Sequence, residues 1–226
     1  MRLFSRKTDS PDPDPGPARR DRAVRVAEKH LVLGTPMVGP WPVDTEIAVF
    51  GMGCFWGIER LFWALPGVYS TAAGYAGGTT VNPTYRETCT GRTEHAEVVQ
   101  VVYESARITY DALLKAFWEN HDPTQGMRQH GDVGSQYRSA IYATSQAQFE
   151  QAVAGMELYQ GALLTAGYGE ITTEIRAIDA GRDFYYAEDY HQQYLKKNPG
   201  GYCNMHGTGV ACSITGTQGL GVQADL

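Results

Sequence analysis

The chain has 226 residues, of which 42% are hydrophobic and 19% are charged, a composition typical of a globular protein of about one domain. Its formal net charge of -6 leaves no basic stretch to meet phosphates, which argues against nucleic acid or an anionic membrane as a partner. No stretch approaches the roughly 20 apolar residues of a transmembrane helix. Because no apolar segment follows the basic residues at the N-terminus, we expect no export signal and a cytoplasmic location.

The order of the predicted elements indicates a two-layer domain of sheet and helices. Residues 1–25 are rich in Pro, Asp and Arg and predict a disordered leader, residues 26–214 a single domain, and residues 215–226 a flexible tail. Apolar alternation predicts strands over residues 46–50, 96–103, 139–142 and 171–175. Helical spacing predicts helices over residues 55–65, 108–120, 145–164 and 185–197. Residues 74–85 are typical of a turn-rich loop, and the glycine-rich segment after residue 197 is expected to be mobile.

The most informative stretch is Gly53-Cys54-Phe55-Trp56-Gly57, where a predicted strand ends and a predicted helix begins. This position places Cys54 at a helix N-terminus, where unpaired N–H groups and the helix dipole favour a negative charge. We therefore expect a nucleophilic thiolate at neutral pH. Phe55 and Trp56 would form an apolar wall beside the sulfur, suited to a small apolar group.

Three further cysteines follow Cys54 in the chain: Cys89, Cys203 and Cys212. In a cytosolic chain of this size, cysteines are more often catalytic or metal-binding than structural disulfides. No Cys-x-x-Cys or His-x-x-x-His pair supports a zinc site, although the cysteines alone leave that reading open. Glycines near Cys203 and Cys212 give these two sulfurs freedom to move, which suits thiols that attack another sulfur.

Several ordered motifs over about residues 30–214 resemble the peptide methionine sulfoxide reductases of the A type. Besides the Cys54 stretch they are Gly74-Tyr75-Ala76-Gly77-Gly78, Asn82-Pro83-Thr84-Tyr85, Gly91-Arg92-Thr93-Glu94-His95-Ala96-Glu97, Phe117-Trp118-Glu119-Asn120-His121-Asp122-Pro123, Gly134-Ser135-Gln136-Tyr137-Arg138-Ser139, Ala187-Glu188-Asp189-Tyr190-His191-Gln192-Gln193-Tyr194-Leu195 and Gly201-Tyr202-Cys203. The predicted fold is α/β (α+β): a two-layer sandwich with a mixed sheet, a ferredoxin-like core and a long C-terminal coil.

The resemblance implies an enzyme that reduces methionine S-sulfoxide, free or in oxidised proteins. In this reading Cys54 attacks the sulfoxide sulfur and becomes a sulfenic acid, the first rung of cysteine oxidation. Phe55 and Trp56 correspond to the cage for the substrate methyl group. Glu97 corresponds to the acid that protonates the sulfoxide oxygen, and its position among valines should keep it protonated near pH 7 by desolvation.

The remaining site residues rest on the same resemblance. Tyr85 and Tyr137 correspond to hydroxyl donors to the sulfoxide oxygen, and Asp132 to an aspartate that helps to hold the site. His95 and His191 are interpreted as structural. Cys89 has neither a helix start nor a glycine hinge and is interpreted as a bystander.

The resemblance also implies how the enzyme is recycled. Cys203 would form a disulfide with Cys54, and Cys212 would then attack Cys203, leaving a disulfide that thioredoxin or another dithiol protein can reduce. No bound cofactor or metal is implied, and we expect a monomer. The family commonly carries small residues after the first resolving cysteine, whereas Asn204, Met205 and His206 stand here, and this bulkier linker is expected to slow the second exchange.

Two other classes fit parts of the pattern. A thiol peroxidase also cycles a sulfenic acid with resolving cysteines, but it has no need of the Phe55–Trp56 wall. A module that binds oxidised methionine or a metal without turnover would need no resolving thiols.

Overall fold

The computed structural model describes residues 23–214. The predicted leader at residues 1–25 lies outside the described residues except for its last three positions, and the predicted tail at residues 215–226 lies wholly outside them. In the described part of the chain, no helix is long and apolar enough to cross a membrane.

Six strands form one mixed sheet in the order β7-β6-β1-β3-β2-β8, in which only the β6–β7 pair is parallel. The strands are β1 (Thr45–Met52), β2 (Val68–Ala76), β3 (Ala96–Glu104), β4 (Arg128–Gln129), β5 (Asp132–Val133), β6 (Ser139–Ala143), β7 (Glu174–Ala177) and β8 (Phe184–Tyr186), of which β4 and β5 form a separate hairpin. The helices are α1 (Phe55–Trp63), α2 (Tyr85–Thr88), α3 (Tyr110–Glu119), α4 (Gln146–Thr165), α5 (Ala180–Asp183) and α6 (Tyr194–Lys197), and a 3₁₀ turn covers Ser135–Tyr137.

The predicted two-layer sandwich with a ferredoxin-like core is confirmed. The path β1-α1-β2-β3-α3-β6 places the four central strands in the order β6-β1-β3-β2, which is the split βαβ arrangement. Because side chains alternate along a strand, Phe50 faces the helix layer, where it meets Phe62 of α1 and Phe117 of α3, while Val49 faces the opposite side. Helix starts follow the sequence closely: Thr109 accepts a hydrogen bond from the backbone N–H of Ala112 and caps α3.

Three predicted elements are wrong. Strand β2 occupies residues that the sequence assigned partly to a loop, because its small side chains are buried on both faces between β3 and β8 and so do not alternate with polar ones. Strand β7 begins at Glu174, later than predicted. Most of the helix predicted over residues 185–197 is absent from the structure, since Tyr185 lies in β8 and regular helix begins only at Tyr194.

The C-terminal segment of residues 198–214, called the tail below, contains no helix or strand, as predicted. It is nevertheless fixed at several points, which contradicts the expected mobility. The hydroxyl of Tyr159 on α4 donates to the carbonyl of Val210 at 3.0 Å, and that of Tyr168 donates to the carbonyl of Thr208 at 2.8 Å. The tail therefore lies along the helix layer.

Candidate active site

Cys54 lies between the end of β1 and the start of α1, as predicted. Gly53 supplies the turn with φ +98°, a conformation that favours glycine, and an added Cβ there would lie 2.8 Å from the Gln129 side chain. Cys54 is the N-cap residue of α1 and is partly buried. The local sequence thus delivers one sulfur to the first turn of a helix that packs on the sheet.

The expected resting thiolate is not found. Burial raises the pKa of the Cys54 thiol well above its usual range, and the nearby carboxyl groups of Glu97 and Asp132 raise it further. The backbone N–H of Trp56 in the first turn of α1 acts in the opposite direction, but burial outweighs it. Cys54 therefore rests as a thiol, and it must lose its proton during the reaction.

Glu97 lies on β3 with its side chain directed at the start of α1. Its carboxylate oxygen Oε2 accepts a hydrogen bond of 3.1 Å from the backbone N–H of Phe55, and the residue is only 1% exposed. Burial raises the pKa of the Glu97 carboxyl to about 8, with Asp132 adding to the rise and the Phe55 N–H opposing it. The carboxyl is therefore protonated near pH 7, as the sequence predicts, and can act as an acid.

Aromatic rings surround the start of α1. Trp56 stacks on Tyr194 with ring centroids 3.8 Å apart, and its indole N–H donates to Nδ1 of His191 at 3.0 Å. The centroid of the His191 ring lies 4.9 Å from that of Phe55 and 4.5 Å from that of Tyr85. This group of five rings, called the cage below, includes three residues that sequence reasoning did not assign to it. Tyr85 was expected only as a hydroxyl donor, His191 was interpreted as structural, and Tyr194 was given no role.

A buried carboxyl holds the outer wall of the cage in place. Glu59 on α1 is fully buried, and its oxygens accept hydrogen bonds of 2.7 Å from both the backbone and the side-chain amide of Gln193. Thr71 on β2 donates to the same carboxyl at 3.2 Å. Burial raises the pKa of Glu59 to about 7, against these donors. Because Gln193 stands between His191 and Tyr194, Glu59 ties the wall of the cage to the helix that carries Cys54.

Tyr85 and Tyr137 lie near Glu97, as expected for two donors to one substrate oxygen. Burial, followed by the charge of Glu97, raises the pKa of both hydroxyls, so both keep their protons. Glu188 accepts from the backbone N–H of Tyr85 at 2.9 Å and so fixes the start of α2. Cys89, interpreted as a bystander, lies close enough to the Tyr85 hydroxyl to add to the rise of its pKa.

Asp132 and Cys203 approach Cys54 from the opposite side. The Tyr202 hydroxyl donates to both oxygens of Asp132, at 3.0 and 3.1 Å. The sulfur of Cys203 lies 3.3 Å from Nη2 of Arg60, and a Cβ built on Gly57 would lie 3.2 Å from it. Since Gly57 and Arg60 follow Cys54 on α1, the structure brings Cys203 to the helix that begins at Cys54.

Cys212 lies elsewhere in the structure. It is 2% exposed, its backbone N–H donates to Glu119 on α3 at 2.8 Å, and its carbonyl accepts from Lys115 at 2.8 Å. All four cysteines are free. Over residues 23–214, no group of three or more His, Cys, Asp or Glu side chains is arranged to hold a metal ion.

Comparisons with known proteins identify the family of the chain. The family model described as peptide methionine sulfoxide reductase matches residues 46–215. The peptide methionine sulfoxide reductase MsrA of Rhodospirillum centenum is 61% identical over 206 residues, covering 91% of this chain and 91% of the relative. Methionine sulfoxide reductase A of Corynebacterium diphtheriae is structurally similar with a TM-score of 0.75 and 48% identity, covering 87% of this chain and 94% of that one. Mxr1 from Saccharomyces cerevisiae, in complex with Trx2, shares the fold at a TM-score of 0.50 and 24% identity, covering 77% and 96%.

Proposed function

The chain belongs to the peptide methionine sulfoxide reductase family, and we propose that it reduces the S epimer of methionine sulfoxide through a sulfenic acid on Cys54. The observation that carries this proposal is the meeting of Cys54 with a protonated, buried Glu97 beside the cage. A nucleophile, an acid and an apolar pocket are what transfer of a sulfoxide oxygen to sulfur requires.

In the first step the Cys54 sulfur attacks the sulfoxide sulfur while Glu97 gives its proton to the sulfoxide oxygen. The thiol proton of Cys54 passes to the Glu97 carboxylate as the new S–S bond forms. The protonated oxygen then moves to the Cys54 sulfur, the S–O bond of the sulfoxide and the new S–S bond break, and methionine leaves. The sum of the step is sulfoxide plus thiol giving methionine plus Cys54 sulfenic acid. Tyr85 and Tyr137 hold the oxygen through their hydroxyls, since both keep their protons. Phe55 and Trp56 receive the methyl group, with His191 and Tyr194 completing the wall.

In the second step Cys203 attacks the sulfenic acid, forms a disulfide with Cys54 and releases water. The position of the Cys203 sulfur against Gly57 and Arg60 supports this order, because Cys203 already lies on the helix of Cys54. Cys212 then attacks Cys203 and frees Cys54. The tail must first release Cys212 from α3, since Cys212 is buried in the described structure.

A thioredoxin or another dithiol protein then reduces the disulfide between Cys203 and Cys212. The yeast relative Mxr1 is solved in complex with Trx2, which supports a reductant of this class. We place the reaction in a reducing cytosol and expect a monomer. Both statements stay predictions from the sequence.

A single-turnover assay with separated S and R epimers of a methionine sulfoxide peptide, without reductant, tests the proposal. We expect stoichiometric reduction of the S epimer and the loss of two free thiols per chain, and no reaction for Cys54→Ser. Reduction of neither epimer, with rapid oxidation of Cys54 by dilute peroxide, would instead favour a thiol peroxidase.

A further inference from the structure

Arg60 is the cationic side chain next to the resolving sulfur. It lies on the exposed side of α1, and its Nη2 is 3.3 Å from Sγ of Cys203, a distance within hydrogen-bond range for sulfur. Gly57 lies one turn earlier on the same helix face, and its missing side chain leaves the space that the Cys203 sulfur occupies. The sulfur is thus held over a face of α1 that offers room and one positive charge.

We propose that Arg60 is a catalytic residue of the resolving step, in which it stabilises the thiolate of Cys203 and holds it for attack on the Cys54 sulfenic acid. This inference rests on the proposed function, because it assumes that Cys203 resolves that acid. None of the sequence motifs assigns a role to Arg60.

The chemistry of the step explains the need for a cation. The thiolate of Cys203 attacks the sulfur of the Cys54 sulfenic acid, the S–O bond breaks, and the leaving hydroxide takes a proton to become water. The sum is one thiol plus one sulfenic acid giving one disulfide plus water. Only the thiolate is a competent nucleophile, and a guanidinium that donates a hydrogen bond to sulfur favours the charged form.

The other ionisable groups around Cys203 do not supply the positive charge that Arg60 supplies. The other ionisable side chains with acidic groups that act on the nearby Cys54 thiol are Glu97, which is protonated near pH 7, and Asp132, and neither favours a thiolate. Asp132 reaches this region through its hydrogen bonds with Tyr202, the neighbour of Cys203. On the tail, His206 lies against His130. Among these groups, Arg60 donates the hydrogen bond to Cys203.

The expected effect is moderate. Loss of the guanidinium removes a charge-assisted hydrogen bond to the Cys203 sulfur and the positioning that this bond provides. We expect Arg60→Met to slow disulfide formation by about tenfold.

The experiment follows one turnover of the S epimer by rapid quench in wild type, Arg60→Met, Arg60→Lys and Arg107→Met. Arg107 is an exposed arginine paired with Glu104, far from this chemistry, and serves as the matched control for loss of charge. Methionine release reports the first step, disulfide formation the second, and a 1,3-dione probe traps sulfenic acid between them. We expect unchanged methionine release in Arg60→Met, slower disulfide formation, accumulation of trapped sulfenic acid, and partial rescue by Arg60→Lys.

Disulfide formation at the wild-type rate in Arg60→Met would overturn the proposal, as would an equal loss in both steps, which would indicate a general distortion of α1. The variant Cys203→Ser separates failure of the Arg60 proposal from failure of the proposed role of Cys203. If that variant still loses two thiols per turnover, Cys203 is not the resolving residue and the proposed relay itself fails.

Discussion

The centre around Cys54 and the tail that carries Cys203 and Cys212 are built in different ways. Glu97 lies on a strand, Cys54 caps α1, and four of the five cage residues lie on helices, with the acid hydrogen-bonded to the first turn of α1. The tail has no regular structure and is fixed by individual side chains such as Tyr159 and Glu119. A centre of this kind favours one geometry, whereas separate side-chain contacts can be released one after another.

The same contrast holds within the tail. Cys203 lies half-buried on the helix of Cys54, and Cys212 is buried against α3 and α4. In the proposed relay, the first exchange has its partner nearby, while the second requires part of the tail to leave its site.

The largest effect is expected for Glu97→Gln, which acts on the centre alone. An amide cannot give the sulfoxide oxygen a proton, so the first step should slow by about 10²–10⁴-fold in single-turnover methionine release. Resolution of a Cys54 sulfenic acid made with peroxide should keep its wild-type rate. In wild type, methionine release should decline as the pH rises through about 8, because Glu97 then loses the proton that the step requires.

Stability provides the control for this variant. The pKa of Glu97 is higher in the folded chain than its ordinary value of 4.5, so folding favours the protonated form. Stability therefore falls as the pH rises from about 4.5 and levels off above about 8. Between about pH 6 and pH 9, the free energy of unfolding measured in urea should fall by about 3 kcal/mol more in wild type than in Glu97→Gln. Equal losses in both proteins would contradict the buried, protonated carboxyl.

A smaller effect is expected for Gly57→Ala, at the contact between the two regions. The new methyl group would displace the Cys203 sulfur, and we expect disulfide formation to slow by about tenfold while methionine release is unchanged. Gly161→Ala on α4 is the matched control, because a Cβ at Gly161 meets nothing within 4 Å. Both changes should stabilise their helix by about 0.5–1 kcal/mol. A wild-type rate in Gly57→Ala would mean that Cys203 attacks from another position.

The smallest effect is expected for Glu119→Ala, which removes the acceptor of the Cys212 backbone N–H. Loss of about 1 kcal/mol of anchoring should raise the population of released tail, and with it the rate of the second exchange, by up to about fivefold. Glu157→Ala on the exposed side of α4 is the control. Stopped-flow reduction by thioredoxin measures the rate, and an unchanged rate in Glu119→Ala would show that tail release does not limit recycling.

The sequence predicted the centre well because its main signals are local. Gly53, Cys54 and the aromatic pair that follows mark a strand, a turn and a helix within a few residues, and Glu97 stands in an obvious valine-rich strand. Strand β2 was not predicted, because Thr71, Ala72 and Ala73 are small and buried on both faces of the sheet. Apolar and polar residues therefore do not alternate along it.

The residues that hold the cage were not predicted for a different reason. His191 and Tyr194 reach Trp56, and Gln193 reaches Glu59, across most of the chain length, and their local pattern is typical of a polar helix. Sequence periodicity carries no information on such distant pairs. The buried position of Cys212 could not be predicted for the same reason. The glycines around it indicate a mobile segment, and the sequence does not show that this segment packs against α3.

The packing of the tail end has an optical consequence. The side chain of Ile214 packs against Gly155 on α4, where the absence of a side chain leaves room for it. The same space borders the indole nitrogen of Trp118, a fully buried residue of α3. Release of Cys212 would move this cover and admit water to the indole, and water around an excited indole shifts its emission to longer wavelength. The enzyme thus carries its own fluorophore beside the buried cysteine that the proposed relay requires to leave the core.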